Sequence, residues 1–149
     1  MREIKILPAH ALGYGFVPQE YLPEGQDENY LRNEQVPRPA DSWRHLRSEE
    51  IEELVKNAVT CDDWDSLYVT DPFTPHLIKN CEFSGLVRLG RLENVVLEHH
   101  ELKTPAGITN SLIVSCDVGD NVAIHNVRYL AHFIIGDNAI LLNVDEMNT

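Results

Sequence analysis

Cys116-Asp117-Val118-Gly119-Asp120-Asn121-Val122-Ala123-Ile124 is followed, 17 residues on, by Phe133-Ile134-Ile135-Gly136-Asp137-Asn138-Ala139-Ile140-Leu141. In both stretches an aliphatic residue precedes Gly-Asp-Asn and a small or branched apolar residue follows. Asparagines recur on nearly the same interval: Asn80, Asn94, Asn110, Asn126 and Asn143 stand 14, 16, 16 and 17 residues apart. A period of this size marks stacked repeats. Three strand-and-turn units of about six residues close a triangular coil of about 18, and stacked coils bury one continuous aliphatic column. Val118 and Ile135 then point inward in the same column. Gly119 and Gly136 supply tight turns, and asparagine tolerates the left-handed backbone region. Asparagines stacked in one corner can bond from coil to coil. The competing reading is an ordinary antiparallel sheet whose turns happen to be Gly-Asp-Asn.

Working outward, short β-rich pieces recur at Leu67-Tyr68-Val69, Leu86-Val87-Arg88-Leu89, Val95-Val96-Leu97 and Ser111-Leu112-Ile113-Val114. The β-helix is therefore expected over residues 67–149, with about four coils between 80 and 144. Residues 42–66 read as a helical cap. Ser48 suits an N-cap, and Glu49, Glu50, Glu52 and Glu53 complement the positive end of a helix over 49–59. Ile51, Leu54, Val55 and Ala58 form one apolar stripe, which must pack on the first coil. Trp43, Leu46 and Trp64 flank it. Residues 1–41 carry Pro8, Pro18, Pro23, Pro37 and Pro39, which exclude long regular elements. The segment nevertheless holds Leu12, Tyr14, Phe16, Val17, Tyr21, Leu22, Tyr30 and Leu31, and so reads as an extended arm lying on another surface, with disorder as the competing reading.

The 149 residues are 43% hydrophobic and 24% charged, enough for one domain with a core. The net charge of -12 argues against nucleic acid and against anionic membranes as partners. No apolar run reaches the ~18 residues of a membrane span, and the N-terminus lacks a secretory apolar stretch. Cys61, Cys81 and Cys116 are odd in number and far apart, as expected of reduced thiols in a cytoplasmic protein. The repeat is still running at Asn143-Val144-Asp145-Glu146-Met147, so the β-helix is expected to be truncated, its open edge covered by the rest of a longer chain or by another copy.

The second half resembles the hexapeptide-repeat, left-handed β-helix superfamily, many of whose members are acyltransferases or the β-helical portions of sugar nucleotidyltransferases. More narrowly, residues 43 to 147 resemble a little-characterised bacterial family of long β-helix proteins, known as a domain of unknown function. The resemblance rests on Trp43-Arg44-His45-Leu46 before Glu49-Glu50-Ile51, on Asp63-Trp64, and on Asn80-Cys81-Glu82-Phe83-Ser84-Gly85-Leu86-Val87-Arg88-Leu89-Gly90. Gly107-Ile108-Thr109-Asn110-Ser111 and Cys116-Asp117-Val118-Gly119-Asp120-Asn121 complete it. It implies a mainly β fold: a left-handed parallel β-helix with an irregular N-terminal arm and one short α-helix.

The superfamily's acyltransferases use a histidine as general base in a cleft between the β-helices of a trimer. His125 and His132 lie in or beside the best-matched coils and are the catalytic candidates; ordinary turn or surface residues are the bland alternative. Arg88 and Arg91 bracket Gly90 and are the candidate phosphate or carboxylate ligands, against cross-coil pairing with acidic residues. His99 and His100, with Glu98 and Glu101, stand on a stretch that breaks the period and should protrude as a loop. Adjacent strand residues point apart, so no metal site is assigned. The cofactor is left unknown. The leading reading is transferase-like, acyl or nucleotidyl transfer on a sugar or nucleotide-sugar. Its rival is a non-catalytic structural or assembly scaffold.

Overall fold

The computed structural model describes residues 38–148, together with Ile4, Ile6, Pro8, Leu12, Arg32, Asn33, Gln35 and Val36. Strand β1 (Arg44–His45) leads into helix α1 (Ser48–Lys56), after which short strands follow one another around a triangle. The first coil is β2 (Thr60–Cys61), β3 (Leu67–Val69) and β4 (Ile78–Lys79). The second is β5 (Glu82–Ser84), β6 (Val87–Leu89) and, after a hairpin of β7 (Val96–His99) and β8 (Leu102–Pro105), β9 (Gly107–Thr109). The third is β10 (Leu112–Val114), β11 (Asp117–Val118) and β12 (Ala123–His125). The fourth is β13 (Leu130–Ala131), β14 (Ile134–Ile135) and β15 (Ile140–Leu142), and β16 (Met147–Asn148) opens a fifth. Each coil strand pairs in parallel with its counterpart in the next coil, giving the faces β2-β5-β10-β13-β16, β3-β6-β11-β14 and β4-β9-β12-β15. The molecule is a parallel β-solenoid, and the antiparallel alternative falls. The solenoid already begins at Thr60, inside the stretch read as a helical cap.

The strand register builds three inward columns. Phe83, Ile113 and Leu130 stack on one face, and Val69, Leu89, Val118 and Ile135 on the second. Ile78, Ile108, Ile124 and Leu141 stack on the third. Nearly all are sealed from water, at about 1.5–3 kcal/mol for each large apolar side chain. Val118 and Ile135 face the same way in one column, as the offset of the two Gly-Asp-Asn units requires.

Asparagines line one corner. Asn80 donates from its Nδ2 to Asn110 Oδ1 (2.7 Å), Asn110 to Asn126 (3.0 Å) and Asn126 to Asn143 (3.1 Å). All four hold positive φ, between 53° and 59°. Asn94 is no rung of this ladder. It lies in the excursion that carries the hairpin, so Asn80 and Asn110, 30 residues apart, are the true neighbours. Residues 80 to 144 accordingly hold fewer coils than the even spacing suggests. Asn126→Ala should cost about 1–2 kcal/mol, because it removes two ladder bonds and places a Cβ in the left-handed region. Asn126→Gly, which relieves the backbone but not the lost bonds, should fall between alanine and wild type in chemical denaturation. Equal losses for the two would show that the backbone contributes nothing.

The corner glycines work differently from the sequence expectation. Neither Gly119 nor Gly136 has positive φ; Asn121 (50°) and Asn138 (59°) take the left-handed turn instead. Gly119 is needed because the Gly136–Asp137 peptide lies where its Cβ would be, with the Gly136 carbonyl carbon and the Asp137 nitrogen 2.7 Å away. Gly90 stands in the same relation to the Gly119 peptide, whose carbonyl carbon is at 2.6 Å.

The first coil is covered from below. Leu54 of α1 is fully buried in the core, and β1 pairs antiparallel with β3. The helix starts at Ser48, with Arg47 rather than Ser48 in the capping position. Glu50 accepts from the Arg47 amide (2.8 Å) and from both Arg44 Nη atoms (2.8 and 2.9 Å), and that guanidinium holds its carboxyl below the usual carboxylate range. The predicted stripe is only half right. Leu54 and Val59 are buried, but Val55 is 56% exposed and Ala58 is exposed. Ala58 ends the helix in the left-handed region (φ 63°) with Val59 N–H returning to Leu54 O, so Val59 rather than Ala58 turns inward. Asn57 joins helix to solenoid, its carbonyl accepting the Asn80 amide at 2.8 Å.

Candidate functional site

The candidate residues fall in separate places. His125 is on β12 and its ring is held on both sides: Nε2 lies 2.8 Å from the Pro105 carbonyl and Nδ1 lies 2.7 Å from Thr109 Oγ1. A carbonyl only accepts, so Nε2 carries a proton and donates, while Nδ1 accepts from the threonine hydroxyl in the neutral ring. The imidazole thereby ties the base of the hairpin to the third coil. His132 sits at the corner between β13 and β14 with φ 66°, directly above Ser115 (φ 50°) and Gly85 (φ 70°) in the coils before it. The two histidines thus occupy a face and a different corner, and do not converge.

Arg88 points outward from β6 and is nevertheless buried, 5% exposed. Its Nε and Nη2 (3.0 Å) donate to the two oxygens of Asp117, one coil on, and its Nη1 donates to Asn33. Arg32 adds a second guanidinium to the same carboxylate, Nε to Oδ2 at 3.0 Å, and reaches the Leu86 carbonyl at 2.6 Å. The Trp43 ring lies 5.5 Å from Arg88 and 5.0 Å from Arg38. Two cations and one carboxylate therefore hold Arg32 and Asn33 against the outside of β6 and β11, with Trp43 beside them, and cation–π contact offsets part of the excess charge. Of the arm's apolar anchors only Leu12 is among the described residues, and it is exposed. The others lie outside them.

Arg91 is at another corner, half-exposed and 3.5 Å from Glu93. Its amide, not its guanidinium, meets Asp120 Oδ1 (2.7 Å), and Arg38 reaches the same oxygen at 2.8 Å. Burial alone would raise the Asp120 carboxyl; these donors outweigh it and keep the group below its ordinary value. Arg88 and Arg91 consequently serve different partners.

The hairpin leaves the second coil and stands beside the fourth. Between them is an open groove of about 460 Å³ lined by Leu97, Glu98, His99, Leu102, Asn138 and Ile140. His100 forms the hairpin turn (φ 54°), its ring 4.3 Å from that of His99. No group of three or more His, Cys, Asp or Glu side chains arranged for a metal occurs among the described residues. Burial pushes the thiols of Cys61, Cys81 and Cys116 up to about 11, so none is a thiolate at neutral pH. Asp117 is the cross-coil acidic partner weighed against a ligand for Arg88, and Thr109 stands one asparagine interval, 16 residues, before His125; neither residue was singled out by the sequence alone.

Fold and side-chain geometry thus define a parallel β-solenoid with a helix-capped end, asparagine-lined and glycine-lined corners, and an arm pinned by a buried ion cluster. The chain belongs to the family described as a domain of unknown function, DUF4954, whose model matches residues 43–149. It is 44% identical over 146 residues to an uncharacterised protein of Treponema pallidum (strain Nichols), a match covering 98% of this chain and 20% of that relative. The chain therefore spans about a fifth of the length of the curated relative it matches. No solved structure gives a significant match. No helix among the described residues is long and apolar enough to cross a membrane.

Proposed function

We propose that this segment is a structural module: a capped, rigid solenoid that presents and organises surfaces rather than a catalytic centre. The observation that carries this is the engagement of the side chains that could do chemistry. His125 spends both ring nitrogens on the hairpin and on Thr109 of the coil before it. Arg88 spends its guanidinium on Asp117 and Asn33. A general base needs a free lone pair within reach of substrate, and an anion site needs uncommitted donors. The three free cysteines, two of them buried, fit a cytoplasmic setting.

The groove beside His99 and Glu98 supports a second reading, in which a hexapeptide-repeat transferase binds an acyl or nucleotidyl donor there. Thermal-shift titration of the protein with coenzyme A, UTP and glucose 1-phosphate separates the two. The structural reading expects no saturable shift from any of them. A saturable shift that His99→Ala or His132→Ala abolishes would replace it with the transferase reading.

A further inference from the structure

We infer that the corner where the first and second coils meet is a binding site for a small neutral polyol, a monosaccharide or cyclitol, held by Thr70, Asp71, Arg91 and Asp120 with Arg38 and Ser42. The inference goes beyond the structural reading and assigns the module a ligand. These six residues line an open pocket of about 330 Å³. That is the small end of the range for ligand clefts and suits a single ring.

The pocket lies where the repeat departs from its own pattern. The register that stacks Val69, Leu89 and Val118 places Thr70, Gly90 and Gly119 in the next column, and Asp71, Arg91 and Asp120 in the one after. Between later coils this corner is closed. The Gly119 carbonyl carbon lies 2.6 Å from where a Gly90 Cβ would stand. Asp120 Oδ1 accepts the Arg91 amide (2.7 Å), as Asp137 Oδ1 accepts that of Asp120 (2.6 Å). One step toward the first coil, both devices are missing. Thr70 carries a side chain where the later coils have glycine, so the peptide above it cannot lie as close. Arg91 stands where they have aspartate, and a guanidinium accepts no hydrogen bond. Thr70 is 7% exposed, and its hydroxyl has no hydrogen-bond partner among the described residues. A hydroxyl buried unpaired is a standing cost that a ligand oxygen at that wall removes.

Electrostatics choose the ligand class. Arg38 is paired with Asp120 (2.8 Å) and Arg91 loosely with Glu93 (3.5 Å), while Arg44 and Arg47 serve Asp71 and Glu50. Cations and carboxylates therefore balance. An oxyanion would meet the Asp71 and Asp120 carboxylates with no surplus cation to offset them, and a cation would meet two guanidiniums. A hydroxyl both donates and accepts. Neighbouring hydroxyls of a polyol donate to Asp71 and Asp120 and accept from Arg91 and Thr70. Ser42 already gives its proton to the Pro39 carbonyl (2.6 Å), so toward a ligand it accepts.

Saturation-transfer difference NMR on the natural gene product tests the site, with D-glucose, D-galactose, D-mannose and myo-inositol as probes. At least one probe should give a saturable signal, and Thr70→Val and Arg91→Met should each weaken its binding by about fivefold or more, the loss of one hydrogen bond. Thr70→Val removes only an unpaired hydroxyl and should leave Tm unchanged or higher. Arg91→Met keeps the amide that Asp120 accepts, so it too should fold. No saturable signal from any of the probes, or a signal that survives either substitution, overturns the inference. Inorganic phosphate is the opposing probe: phosphorus line broadening that Arg91→Met abolishes would overturn the neutral class in favour of an anion site. The titration above turns on His99 and His132, which take no part in this corner, so either reading can fail alone.

Discussion

Asp117→Leu should cost about 3–5 kcal/mol of unfolding free energy, the range for leaving charge buried without its partner. The carboxylate is 2% exposed and receives donors from both Arg88 and Arg32. Without it two guanidiniums share one dry site and repel. The pair is already imperfectly matched, since Arg32 Nη2 is buried with no partner among the described residues. Replacing all three, Asp117→Leu with Arg32→Met and Arg88→Met, should recover most of the loss, because apolar side chains of similar volume carry no desolvation cost there. Urea denaturation of the single and triple variants checks both statements. A single variant within about 0.5 kcal/mol of wild type would mean that the ion cluster does not hold the arm.

Ile124→Asp should abolish cooperative unfolding at pH 7, or leave only a compact state without fixed packing. Ile124 is fully buried and stacks between Ile108 and Leu141, so a carboxylate there meets aliphatic side chains above and below. Ile124→Val, which removes one methylene, should cost only about 0.5–1.5 kcal/mol. Near-ultraviolet circular dichroism and thermal melts of the two variants distinguish a dry column from a hydrated one. An aspartate variant that melts like the valine variant would refute the inward column.

The periodic core was legible because its signal is local and repeated. Val118-Gly119-Asp120-Asn121 and Ile135-Gly136-Asp137-Asn138 sit in consecutive coils with nothing inserted between them. Where the chain makes an excursion, the same reasoning misled. Asn94 completed an even series on paper, while the real neighbour of Asn80 was beyond the hairpin at Asn110. Helix α1 misled in a different way. Val55 and Ala58 fit the apolar stripe by spacing, but a stripe shows which residues share a side of a helix, not where the helix stops. Ala58 in the left-handed region stopped it early, with no glycine to announce the turn.

The site was the least legible part. Whether Arg88 meets a ligand or a neighbour depends on Asp117, 29 residues later, and on Asn33, 55 residues earlier. His125 looked available because its two partners, Thr109 and Pro105, lie 16 and 20 residues before it and approach only once the hairpin is in place. Asp117 and Thr109 are the in-register neighbours one coil away, whereas Asn33 and Pro105 come from the segment before the solenoid and from the hairpin, which the repeat does not predict.

The closure of the first coil also sets a direction for assembly. Helix α1, β1 and the first coil are joined by contacts between segments close in sequence: Arg44 with Glu50, Arg44 with Val69, and Asn57 with Asn80. A ribosome delivers these segments first. They can close on themselves at low loop-closure cost before any later strand exists. Each new coil then meets a finished template of the previous one, with the glycine and asparagine corners setting its register as it emerges. The hairpin, whose strands pair only with each other, can form without waiting for later coils. Vectorial synthesis and the geometry of the cap thus run the same way, and the edge strand that invites unwanted partners is always the most recently made one.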